Sequence, residues 1–159
     1  MASVAGRMAA DDFVAMKTPP PSAWNSYDTL PEPAGQPALL EFGAGPLSKL
    51  RGFVSRHAIA AGLDPARTVD LVLVVNEVAS NSVLHGGGNG TLRIWQDDGQ
   101  LVCEVSDSGY FYERLAGSKR PPPDQEGGRG LWLANQLCDL VQVRSLPHGT
   151  VVRLHTRLR

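Results

Sequence analysis

The chain has 159 residues, 42% of them apolar and 19% charged, which suffices for one globular domain with its own core. Its net charge of −1 supplies no general field to attract nucleic acid or an anionic membrane. No apolar run approaches the roughly 18 residues needed to span a bilayer, and the N-terminus, MASVAGRMAADDF, lacks the apolar stretch of a secretory signal.

Residues 1–37 are proline-rich and weakly patterned (TPPPSAW, then LPEPAGQP), which predicts a flexible arm ahead of a single domain over 38–159. Residues 38–42 (ALLEF) read as a short strand, after which Gly45-Pro46 breaks the chain. Leu47, Leu50, Phe53, Val54 and Ile59 recur near the helical period and predict a helix over 47–61, ended by Gly62. A second helix opens with Asp64 as N-cap and Pro65 in the first turn, runs to His85 and stops at Gly86. Segments 90–96 and 100–106 predict a hairpin across Asp97-Asp98-Gly99. Residues 107–127 have low periodicity and include Pro121-Pro122-Pro123; a loop of that length within a domain is usually functional or disordered.

A third helix is predicted over 131–139, reached through Gly127-Gly128-Arg129-Gly130, and a closing hairpin over 140–145 and 150–158. In the last strand Val152, Leu154 and Leu158 face one way and Arg153, His155 and Arg157 the other, as in a sheet with one wet or helix-free face. This order predicts an α+β fold: a two-layer sandwich with a mixed, mostly antiparallel sheet and about three helices on one face. Cys103 and Cys138 lack metal-ligand spacing and read as buried thiols, in keeping with a cytoplasmic protein.

Four segments carry candidate chemistry. The run LVLVVNEVASNSVLHGGG puts Glu77 and Asn81 on one helical face, with His85 four residues further. The helix is apolar nearly all round, which predicts burial, and a buried carboxylate and amide are costly unless paired. Either neighbouring backbone satisfies them or they line a cavity for a nucleotide, a magnesium ion and water. Asp107 follows an apolar strand and precedes Gly109; it can accept a hydrogen bond from a ligand amine, although ordinary turns share this pattern. Gly127-Gly128-Arg129-Gly130-Leu131 opens a helix whose N–H groups can approach an anion, with Arg129 adding a cation. His148-Gly149-Thr150 places a hydroxyl on the last hairpin.

In order and spacing the four segments resemble the GHKL (Bergerat-fold) ATPases, over about residues 38–158. EVASN is similar to their N box, DSG to the first glycine box, GGRGL to the second, and the final GT to their last nucleotide-contacting turn. The resemblance extends to the anti-sigma-factor serine/threonine kinases and to the stand-alone ATPase domains of actinobacteria. It implies ATP and Mg2+ as cofactors, Glu77 as general base, and Asn81 as magnesium ligand. It further implies Asp107 on the adenine amino group with Gly109 assisting, phosphates against Gly128, Arg129, Gly130 and Leu131, and Thr150 beside the adenine. His85 reads as a helix-end cap or a phosphate contact. One departure stands out: where the first glycine box usually continues to a second glycine, this chain has Tyr110-Phe111.

The implied function is phosphorylation of a Ser or Thr on an anti-anti-sigma (STAS-domain) antagonist, with sequestration of a sigma factor and dimerisation of the domain. Neither nucleic acid nor membrane is expected as a direct partner. Two other readings remain at this stage: a non-catalytic partner-switch module that binds nucleotide weakly or not at all, motivated by Phe111, and a detached histidine-kinase catalytic domain.

Overall fold

The structure, a computed structural model, describes residues 30–109 and 129–159. Its elements follow the predicted order: β1 (Ala38–Gly43), α1 (Ser48–Ala60), α2 (Pro65–His85), β2 (Asn89–Asp97), β3 (Gln100–Asp107), α3 (Arg129–Leu137), β4 (Leu140–Leu146) and β5 (Gly149–Arg157). The loop expected over 107–127, with Tyr110 and Phe111, lies almost wholly outside the described residues, as does the arm up to residue 29.

Local signals account for most boundaries. The Asp64 side chain accepts hydrogen bonds from the N–H groups of Ala66 and Arg67 at 3.0 and 3.3 Å, capping α2. Asp98 and Gly99 both have positive φ, 49° and 76°, as a two-residue turn matching the strand twist requires. α3 begins and ends two residues earlier than its apolar pattern suggests, so Arg129, Gly130 and Leu131 form its first turn.

The strands form one sheet in the order β1-β2-β3-β5-β4. All four pairings are antiparallel, so among the described residues the sheet has none of the parallel pairing that a mixed sheet implies. One face carries Leu92, Ile94, Leu101, Cys103, Val105, Val141, Val143, Val152 and Leu154, which join Leu50, Val54, Leu71, Val74, Val75 and Val78 of the helices in one core. Both cysteines are buried, and burial pushes the Cys103 thiol up, as expected of unreactive core thiols.

The opposite face is not simply wet. Glu104 sits between two guanidinium groups: Arg93 donates from Nε and Nη2 to its Oε1 at 2.9 and 2.5 Å, and Arg153 from Nε and Nη2 to its Oε2 at 2.9 and 2.6 Å. Both guanidiniums also lie over the Trp95 ring, at 5.5 and 4.9 Å from its centroid. The segment before β1 attaches here, the Pro31 carbonyl accepting from Arg153 at 2.7 Å and Glu32 pairing with Arg93 at 3.2 Å. Hence Arg153, which periodicity places on the solvent side, is only 5% exposed.

α2 packs against both α1 and α3. Its N-terminal turn is tied to the end of the sheet by Arg67, which bonds Asp139 at 2.6 Å and the Arg157 carbonyl at 2.9 Å. The expectation of a helix buried nearly all round needs correction. Val69, Leu73 and Leu84 are 68, 44 and 66% exposed, because α1 and α3 leave one side of α2 uncovered.

Candidate functional site

The site is organised where the C-terminal end of α2 meets the end of β3. Asp107 is the last residue of β3, and two bonds from different elements hold its carboxylate. Ser82 of α2 donates from Oγ to Oδ2 at 2.7 Å, and the Gly109 N–H donates to Oδ1 at 2.9 Å. Partial burial pushes its pKa up, while the bonds from Ser82 and Gly109 pull the other way.

This approach depends on missing side chains. A Cβ on Gly86 would fall against the Asp107 carboxylate, and one on Gly109 against the Gly86 Cα. The Ser108 N–H adds a bond to the Gly86 carbonyl at 3.2 Å, joining the loop after β3 to the helix end. Thr150 pairs with Asp107 in the β3–β5 ladder and donates its hydroxyl to the Gly109 carbonyl at 2.8 Å.

Glu77 and Asn81 lie on α2 ahead of Ser82. Both side chains are half-buried rather than buried, and among the described residues neither makes a hydrogen bond or ion pair. The cost expected of a buried polar pair is therefore largely absent, and both groups remain available to a ligand. Asn76, one residue before Glu77, is instead occupied by Arg51 at 3.0 Å. His85 ends α2 with an exposed side chain.

The structure thus brings Asp107, Gly109 and Thr150 together and places Glu77 and Asn81 on the helix whose Ser82 bonds Asp107. Gly128 lies outside the described residues, and for Arg129 and Gly130 only the backbone at the start of α3 is described. Leu131 is buried in the core, so its side chain serves packing and its backbone alone can face a ligand. A cavity of about 580 Å³ opens at the strand ends between Phe42, Gly90, Thr91, Ser106, Asp107 and His148. Thr91 and Ser106 belong to the helix-free face, and neither Glu77 nor Asn81 lines the cavity, so it lies beside the candidate site rather than being that site. Among the described residues no three His, Cys, Asp or Glu side chains are grouped to hold a metal, and no helix is long and apolar enough to cross a membrane.

Two residues escaped the sequence reading, Ser82 and Gly86. Ser82 did carry a signal, since it continues the buried stripe of Val75, Val78 and Ala79 with a hydroxyl. Gly86 looked like a helix stop, and nothing local shows that a carboxylate 21 positions later needs its space.

The profile of the histidine kinase-like ATPase domain family matches residues 44–156. No curated protein matches the chain. Among solved structures, the RsbU and RsbW domains of Rv1364c from Mycobacterium tuberculosis are similar at 17% identity and a TM-score of 0.55, over 77% of this chain and 32% of that one. The chain therefore spans about a third of that relative's length. The catalytic domain of histidine kinase ThkA is similar at 16% identity and a TM-score of 0.47, over 76% of this chain and 95% of that one. Identities this low concern the fold and carry no statement about partners. With a family profile that runs from the end of β1 to the end of β5, the chain belongs to the histidine kinase-like ATPase domain family.

Proposed function

We propose that the chain is a cytoplasmic ATP-binding regulatory kinase of the anti-sigma type, made up of a proline-rich arm (1–37) and one ATPase domain (38–159). It phosphorylates a Ser or Thr of an anti-anti-sigma (STAS-domain) antagonist and sequesters a sigma factor. The observation that carries this reading is the Asp107 carboxylate, held by Ser82 of α2 and by the Gly109 N–H, with Glu77 and Asn81 on that same helix and without partners among the described residues.

The residues suit the roles. Asp107 retains acceptor capacity beyond its two bonds and can accept a hydrogen bond from the adenine amino group. Thr150 and Gly109 steady that end of the site. The first-turn N–H groups of α3, at Arg129, Gly130 and Leu131, have no intrahelical acceptor and suit phosphate oxygens, together with Gly128 and the Arg129 cation. Asn81 fits as a ligand for Mg2+, whose remaining ligands would be phosphates and water. That ion would neutralise charge on the transferring phosphoryl group. Glu77 takes the proton from the acceptor hydroxyl as its oxygen bonds to the γ-phosphorus and the bond to ADP breaks. His85 lies at the rim, where it can cap α2 or meet a phosphate. The resulting phosphoserine or phosphothreonine adds negative charge to the antagonist's surface and weakens its binding. A homodimer is part of this reading.

The test is calorimetry with Mg-ATP, followed by transfer from radiolabelled ATP to proteins captured on the chain from its source cells. Expected are ATP binding and label on a STAS-domain protein, with Glu77→Ala binding ATP but transferring nothing. The departure at Tyr110-Phe111 supports a second reading, a non-catalytic partner switch. Absence of nucleotide binding would replace the first reading with that one.

A further inference from the structure

We propose that Ser82 is a positioning residue for base recognition, aiming the Asp107 carboxylate at the 6-amino group of a purine nucleotide. This rests on the nucleotide-site reading above and adds a residue that the motif resemblance does not contain.

Ser82 is 3% exposed and lies among apolar neighbours on α2. A hydroxyl buried there requires a partner. Two acceptors are in reach, the Val78 carbonyl at 3.4 Å and Asp107 Oδ2 at 2.7 Å. One proton serves one strong bond, and the distances assign it to Asp107. The acceptor is charged, which makes this among the stronger side-chain bonds.

The geometry does more than satisfy the hydroxyl. Oδ2 is held from α2 and Oδ1 from the loop after β3, so the carboxylate is fixed against rotation about its own axis. Each oxygen has used one acceptor position and keeps another. Without Ser82, only the Gly109 N–H would orient the group. Ser82 also follows Asn81 directly, so one rigid helix sets both the base contact and the proposed magnesium ligand. α2 thus couples the orientation of the base contact to the position of the proposed magnesium ligand.

A purely structural Ser82 would tie α2 to β3 and affect every nucleotide alike. A positioning Ser82 affects only ligands that carry the amino group. The experiment measures dissociation constants of the full chain with Mg2+ for ATP and for purine riboside triphosphate, which lacks the 6-amino group. Unaltered chain, Ser82→Ala and Ser82→Thr are compared, with thermal unfolding of each.

Expected is roughly tenfold weaker ATP binding by Ser82→Ala. The analogue should bind more weakly than ATP to the unaltered chain and equally to both proteins, and Ser82→Thr should restore ATP affinity. If the added methyl prevents Ser82→Thr from folding, the two ligands on Ser82→Ala decide alone. Undiminished ATP affinity in Ser82→Ala, or an equal loss for both ligands, would overturn the proposal. So would equal binding of the two ligands by the unaltered chain, since Asp107 would then not read the amino group. No binding of either ligand by the unaltered chain would remove the nucleotide-site reading itself, and this inference with it.

Discussion

The Thr150 hydroxyl donates to the Gly109 carbonyl at 2.8 Å, while the Gly109 N–H donates to Asp107 at 2.9 Å. Strands β5 and β3, through Thr150 and Asp107, thereby hold the two peptide groups flanking Gly109 in place. Thr150→Val keeps the shape and strands that carbonyl. It should cost about 1 kcal/mol of stability in urea unfolding. Calorimetry should show ATP affinity falling severalfold. An unchanged affinity would remove Thr150 from the site.

Gly86→Ala places a methyl group where the Asp107 carboxylate lies. The carboxylate or the helix end must shift, at a cost of about 1–3 kcal/mol. ATP affinity should fall further than in Thr150→Val, because the group proposed to read the base is itself displaced. Wild-type affinity in this variant would show that Asp107 need not stay where it is.

Asn81→Ala removes an amide that is half-buried and unpartnered among the described residues. Stability should change by less than about 0.5 kcal/mol, as at an ordinary surface site. ATP affinity, measured with and without Mg2+, should lose its dependence on the metal. A dependence equal to that of the unaltered chain would rule Asn81 out as a ligand.

Glu104 is 3% exposed and carries two guanidinium groups. Glu104→Ala leaves both cations without their shared partner and should cost about 3–5 kcal/mol in denaturant unfolding. Glu104→Leu combined with Arg153→Met removes most of the buried charge and should cost less than Glu104→Ala alone. If the double variant is the less stable, the cluster contributes net stabilisation through its ion pairs and its contacts with Trp95 and Pro31.

His155 bonds Gln100 at 3.0 Å and Gln142 at 2.8 Å. Burial chiefly, then the Arg153 charge, lowers its pKa to about 4, with Asp97 opposing. The folded state thus holds His155 neutral, whereas the unfolded chain takes up a proton below its ordinary value of 6.5. The associated stability is complete above that value and is lost as the pH falls toward 4, reaching about 3 kcal/mol. Urea unfolding from pH 7 to 4 should show a shallower decline for His155→Gln. Parallel profiles would mean that His155 is already charged in the fold.

Much of the fold was legible because its signals are local. Asp64-Pro65 caps the helix that follows, Asp98-Gly99 takes the turn its residues favour, and alternation in β5 sorts Val152 and Leu154 from Arg153 and His155. Periodicity also put Glu77 and Asn81 on one helical face and placed Asp107 at the end of a strand. These readings need only a few consecutive residues, and the backbone rules governing them do not depend on the rest of the chain.

Tertiary contact decided the rest. Composition could not show which side of α2 its neighbours leave open, and Val69, Leu73 and Leu84 on that side are exposed although the helix as a whole reads as buried. Nor could alternation show that Glu104 and the segment before β1 enclose Arg153, since those partners lie 49 and 122 positions away. The bond from Ser82 to Asp107 spans 25 positions and two elements. The residue types of the site are local information; its geometry depends on how α2 lies across the sheet, and that is set by packing of the whole core.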